Sequence, residues 1–262
     1  MQRTVRWPVV ALALLCAAWT LAARAGPCDV DDYITKAIGI EEPWIENAGY
    51  LYSQAARDPA SLTLAPEIEA RFSERVGMEL DLPAYTTAAP LDGGRGAFGP
   101  LAAGLKVAAL HECAMGRGSA TLLSGEVEAQ YWADPRPAVL AGEGNSVTAQ
   151  LMWAQLWYPW FTQGEAGYTR AVGSGVTSGW FLNTSLGKAL GSAWSVQLEV
   201  AVDNQLILDG GRRGIEGSVM PQVAYRGSPR WLIALGEQAS IQQAGAGPQW
   251  TTWLMLEHEF SP

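Results

Sequence analysis

The stretch Leu62-Thr63-Leu64-Ala65-Pro66-Glu67-Ile68-Glu69-Ala70-Arg71-Phe72-Ser73-Glu74-Arg75-Val76-Gly77-Met78-Glu79-Leu80-Asp81-Leu82 decides the fold. Its even positions carry Leu62, Leu64, Ile68, Ala70 and Phe72, then Val76, Met78, Leu80 and Leu82. Its odd positions carry Thr63, Glu67, Glu69 and Arg71, then Glu79 and Asp81. A period of two gives two β-strands, each with an apolar and a charged face. The turn at Glu74-Arg75 makes them a hairpin.

The same device recurs along the chain. Leu101, Leu105 and Val107 share a face, and Leu123, Val127, Ala129 and Tyr131 oppose Ser124, Glu126, Glu128 and Gln130. Val147 to Trp160 is a strand rich in aromatics that Pro159 ends, and Gly167 to Val172 is a weaker one. Trp180 to Leu190 follows, and Trp194 to Val202 alternates most cleanly, with Glu199 on its polar side. Ile215 to Tyr225 contains Pro221, which predicts a bulge or an outward break. Trp231 to Leu235 opens another strand, and Trp250 to Phe260 is the last. The first strand is expected within Trp44 to Ser53. Turn signals at close intervals give about 10–12 strands by pattern.

The first 25 residues read as a secretory signal: Arg3 and Arg6, an apolar core from Pro8 to Ala22, and Ala23-Arg24-Ala25 as the cleavage site. Residues 26–43 are acidic and irregular, and are expected to be a solvated periplasmic lead-in before a β domain over 44–262. Removing the signal leaves 14 basic and 26 acidic side chains, a formal charge of −12. That balance argues against nucleic acid as a partner. Cys28 and Cys113 then remain, a pair that reads either as a disulfide of an exported protein or as two free thiols.

Alternation alone does not say whether the apolar faces meet a core or lipid. Charged residues make up only 16% of the chain, and just three of the 17 basic residues are Lys. A soluble surface of this size usually carries more charge. Trp132, Trp160, Trp180, Trp194, Trp231 and Trp250 fall near strand ends, where membrane barrels carry aromatic girdles, although ordinary core Trp is the other reading. Together these features favour an all-β fold, an antiparallel up-and-down transmembrane β-barrel, in which closure leaves no unpaired edge in hydrocarbon. Glu67, Glu69, Arg71, Glu79, Asp81, Glu126, Glu128 and Glu199 would then line the lumen. The opening-hairpin carboxylates would form a cation-attracting wall, or pair locally, as Arg71 with Glu79.

The run Glu67 to Pro83, followed by Gly104-Leu105-Lys106, resembles the early hairpins of the meta-pathway phenol-degradation family of outer-membrane proteins. Leu254 to Phe260 resembles the final strand that barrel-insertion machinery reads, with the departure that Ser261-Pro262 follows. The resemblance implies an outer-membrane location, lipid and insertion machinery as partners, and passive passage of small, hydrophobic or aromatic solutes. Two other functions stay open: a soluble periplasmic β-sandwich binding lipid or glycan in a cleft of Trp153, Trp157 and Trp160, and a lipid hydrolase pairing His111 with Ser124. The favoured reading is not an enzyme. No cofactor fingerprint occurs, and His111-Glu112-Cys113 lacks the further ligands of a zinc site, so no metal is expected.

Overall fold

The computed structural model describes residues 34–57, 60–87, 96–114, 118–132, 145–172, 178–204, 214–242 and 248–260. The proposed signal, residues 26–33 with Cys28, and the Asp92-Gly93-Gly94 loop lie outside the described residues. The long strands are β1 (Ala48–Arg57), β2 (Ala60–Ser73), β3 (Val76–Asp81), β6 (Leu101–Ala114), β7 (Ser119–Tyr131), β8 (Ser146–Trp157), β9 (Trp160–Ala171), β10 (Gly179–Ala189), β11 (Trp194–Asp203), β12 (Glu216–Ser228), β13 (Trp231–Gln242) and β14 (Gln249–Glu259). Two short strands, β4 (Tyr85–Thr86) and β5 (Ala97–Phe98), hang on β2 beyond the end of β3. The twelve long strands pair in chain order, all antiparallel, and β1 pairs with both β2 and β14. The sheet is therefore a closed up-and-down barrel whose ladder has no free edge along the wall.

Strand polarity is inside-out relative to a soluble protein. Leu198 is 51% exposed and its neighbour Glu199 only 4%. Leu64, Leu105, Val127, Leu182, Val196 and Leu235 are likewise exposed, while Glu67, Glu69, Glu79 and Glu126 are buried. The apolar rows face outward and the acidic rows face the interior. That is the arrangement a wall immersed in hydrocarbon requires.

Connections at the end holding the start of β1 and the end of β14 are two to four residues long. At the opposite end they run from six to nineteen residues, apart from the tight β1–β2 turn. Some sequence expectations are corrected. The first strand starts at Ala48, and Trp44 is buried inside the barrel. Residues 160–166 belong to β9, because Phe161, Gln163 and Glu165 face inward and blur the alternation. Pro221 causes no bulge: Val219 still pairs with Ala239 and Gln222 with Gly236, and only the intervening ladder is lost, as a residue without N–H requires. The β12 irregularity falls between Arg226 and Ser228.

The solvated lead-in is also corrected. In its described part, Ile34, Lys36, Ala37, Ile38, Ile40 and Glu42 are all buried, because the chain from 34 to 47 runs inside the barrel.

This polarity makes a testable asymmetry. Leu198→Arg should destabilise the barrel in lipid by about 2–4 kcal/mol, the cost of a midplane cation on a lipid face. Ser195→Ala, an inward change, should cost far less. Urea titration of the two variants refolded into vesicles measures the difference.

Candidate functional site

The site is the lumen together with the segment 34–47 inside it. That segment has no strand partner, so its backbone polar groups need other bonds. Wall side chains supply them. The Ile38 amide donates to Gln222 Oε1 at 3.0 Å, the Gly39 amide to Glu199 Oε2 at 3.2 Å, and the Glu41 amide to Glu165 Oε2 at 2.9 Å. Gln163 Nε2 and Gln197 Nε2 both donate to the Thr35 carbonyl, at 2.6 and 3.0 Å. Ser124 donates to the Pro43 carbonyl. Irregular backbone at membrane depth is tolerated under this condition, when protein surrounds it. Gly39 lets the Glu199 carboxylate approach closely, since a Cβ there would overlap it and push it aside.

A charge exchange holds the middle of the segment. Lys36 Nζ lies 2.6 Å from Glu42 Oε2 on the segment itself and 3.3 Å from Glu67 Oε1 on β2. Glu42 in turn reaches Lys106 Nζ on β6 at 3.1 Å, and Lys106 also holds Glu69 at 3.0 Å and Glu79 at 3.9 Å. Each partner gives a cation and takes one. Lys36 Nζ also sits 3.8 Å from the centroid of the Tyr50 ring, a cation–π contact on β1. All of these groups except the half-buried Glu41 are nearly removed from solvent, so each charge depends on its partner to offset lost hydration. Apolar anchors flank the network. Ile38 packs with Tyr50, Tyr52, Met220 and Leu232, and Ile34 and Trp44 pack with Leu122, Leu156 and Phe161.

The residues expected to line the lumen are placed as follows. Glu67, Glu69, Glu79, Glu126 and Glu199 face inward and are buried, and Asp81 and Glu128 face inward half-buried. Arg71 shares their parity but is exposed at the end of β2. It stands opposite Gly77, whereas Glu79 stands opposite Glu69, so the local Arg71–Glu79 pairing is replaced by Lys106. Sequence reading missed Lys36, Glu41, Glu42 and Lys106, the centre of the network. One signal was present: Lys106 sits among Ala102, Gly104 and Ala108, small inward residues that leave room for the segment.

Trp160, Trp180, Trp194, Trp231 and Trp250 are exposed on the outer face at strand ends, and Trp132 is half-buried just past β7. Three of the six lie toward each end of the barrel. Trp157 and Trp160 pair across a turn on that same outer face, so no aromatic cleft forms. The Ser124 proton is engaged by Pro43, which leaves that hydroxyl unsuited to the nucleophile role. His258 stacks against Trp231 on the outer face, with ring centroids 4.3 Å apart. Cys113 faces the interior beside the Ile34 cluster.

Toward the end with long connections, a cavity of about 390 Å³ opens above the segment. Gly39, Phe181, Glu199, Asp203, Glu216 and Trp253 contribute to its wall. It offers carboxylates and two aromatic side chains to a solute.

No family model matches this chain, and no curated protein matches it. Solved structures do. The COG4313 outer membrane channel from Pseudomonas putida F1 superposes with a TM-score of 0.60 at 12% identity, covering 90% of this chain and 100% of that one. The NanC porin gives 0.53 at 6% identity, covering 81% and 100%. The KdgM porin gives 0.51 at 7% identity, covering 82% and 99%. At these identities the likeness is one of fold, and the fold is the closed barrel of outer-membrane channels.

The charge exchange predicts local protection. Amides of Ile38, Gly39 and Glu41 should exchange slowly with deuterium. Lys106→Met should speed them about tenfold or more, since a charge-assisted bond contributes about 1.5–3 kcal/mol. Exchange mass spectrometry of residues 34–47 reads this, and unchanged rates would remove the network from the account of how the segment is held.

Proposed function

We propose that this protein is an outer-membrane channel through which small solutes pass passively, narrowed by residues 34–47. The observation that carries the reading is the pairing of a lipid-compatible exterior with a charged interior on the same strands, as in Leu198 beside Glu199. Residues 1–25 act as the export signal. The six Trp residues act as girdles at the two interfaces, and the short connections face the periplasm with the long ones outside. Phe260 then ends the barrel as the feature read by insertion machinery.

The solute class follows from the cavity and from the sequence resemblance. Carboxylates of Glu199, Asp203 and Glu216 repel anions, and Phe181 and Trp253 offer aromatic faces. Small neutral or cationic aromatic compounds suit that lining, consistent with membership of the meta-pathway phenol-degradation group. A Cys28–Cys113 disulfide would fix the start of the segment to β6, close to Ile34. The chemistry is transit, with no bond made or broken.

In planar bilayers the mature chain should show a small conductance with cation preference. A chain beginning at Asn47 should conduct several times more. The double variant Glu199→Gln with Glu216→Gln should shift the reversal potential toward zero in a salt gradient. A reversal potential unmoved by that variant sinks the proposed path.

A further inference from the structure

A second group of carboxylates lies on the lumen wall beside the lysine network. Oxygens of Glu79 on β3, Asp81 on β3 and Glu128 on β7 all come within 4.8 Å of one another. The register explains the convergence: Gly104 of β6 stands between Glu79 and Glu128, opposite both. A Cβ at position 104 would overlap Glu126 Oε1, so that oxygen lies over the residue that separates Glu79 from Glu128 in the ladder. Glu126 is only 3% exposed. Its Oε2 accepts from Gln150 Nε2 at 3.0 Å, while its Oε1 has no hydrogen-bond partner. Glu79 Oε2 is also buried without a hydrogen bond.

Among the described residues, the lysine that approaches is Lys106, at 3.9 Å from Glu79, and its shorter contacts go to Glu69 and Glu42. A buried carboxylate oxygen without a hydrogen-bond partner is costly, and two of them beside two further carboxylates more so. We propose that Glu79, Asp81, Glu126 and Glu128 bind one calcium ion around the Gly104 notch. The four ligands are hard carboxylate oxygens with no imidazole or thiolate, which selects against zinc. They come from β3 and β7, which flank β6 at about 4.8 Å to either side, a spread that suits the irregular shell of Ca²⁺ better than the strict octahedron of Mg²⁺. Asp81 and Glu128 are half-exposed near the strand ends that carry the long connections, so an ion has a way in. No spacing pattern marks these residues as ligands, because they sit on separate strands and meet only when the wall is built.

The experiment is isothermal titration of the detergent-purified mature chain with CaCl₂ at pH 7.5, with MgCl₂ and NaCl at matched ionic strength. We expect one Ca²⁺ per chain, with Kd of about 10⁻⁴–10⁻³ M as in extracellular calcium modules. Asp81→Asn and Glu128→Gln should each weaken it by about tenfold or more, as loss of a metal-site group does. Glu237→Gln, an acid paired with Arg57 outside the cluster, should leave it unchanged. Heat-dependent gel mobility of each variant separates a lost site from a lost fold. Absence of saturable Ca²⁺ binding, the result expected if the carboxyls share protons instead, overturns the proposal. So does equal binding by the folded Asp81 and Glu128 variants, or tighter binding of Mg²⁺.

Discussion

The structure depends on one constraint: backbone groups in the wall must find partners within the wall, because hydrocarbon offers none. The pairing of β1 with β14 meets it. Once that seam closes, strand alternation leaves no choice about the interior. Each outward Leu or Val is followed by an inward residue, and along β2, β3, β7 and β11 those inward residues include Glu67, Glu69, Glu79, Glu126, Glu128 and Glu199. The lumen is acidic because the exterior is apolar, and both follow from a two-residue period.

An acidic, water-excluding interior is unstable unless something answers its charge. The segment 34–47 does so with few cations. Lys36 and Lys106 each serve several carboxylates, and Glu42 lies between them. An ammonium suits that task better than a guanidinium, since it is compact and shares its charge in several directions, whereas Arg favours one planar bidentate partner. The chain has 14 Arg and three Lys, yet two of the three Lys stand at this centre. The scarcity of Lys that pointed to a membrane exterior is therefore matched by its use inside.

Much of this was legible in the residues. Trp194 to Val202 reads as a strand from its alternation alone, and its orientation follows once the exterior is judged too poor in charge for water. The acidic faces of β2, β3 and β7 were legible for the same reason. What escaped reading has two physical causes. At β9 the inward side carries Phe161, Gln163 and Glu165 and the outward side Thr162, Gly164 and Ala166, so hydrophobicity does not separate the faces. At 34–47 there is no periodicity, because the segment borrows bonds from many strands around the wall instead of forming a ladder with one. Acidic and irregular composition looks solvated when its cationic partner, Lys106, lies 64 residues downstream of Glu42.

That borrowing separates two kinds of stability in one molecule. The wall's ladder closes on itself, and its backbone meets the segment only where the segment enters β1, at Asn47 among the described residues. The segment is held mainly by side chains: amide and carboxylate groups of Gln163, Glu165, Gln197, Glu199 and Gln222, two lysines, and two small apolar clusters. Releasing it would break charge-assisted contacts without breaking a strand pair. The groups it uncovered would be carboxylates and amides, which water solvates well, together with the inward sides of two small apolar clusters, and not the lipid-facing Leu and Val. An interior built from polar side chains, and not from an added strand, thus lets the inner segment and the wall be stable on largely independent terms.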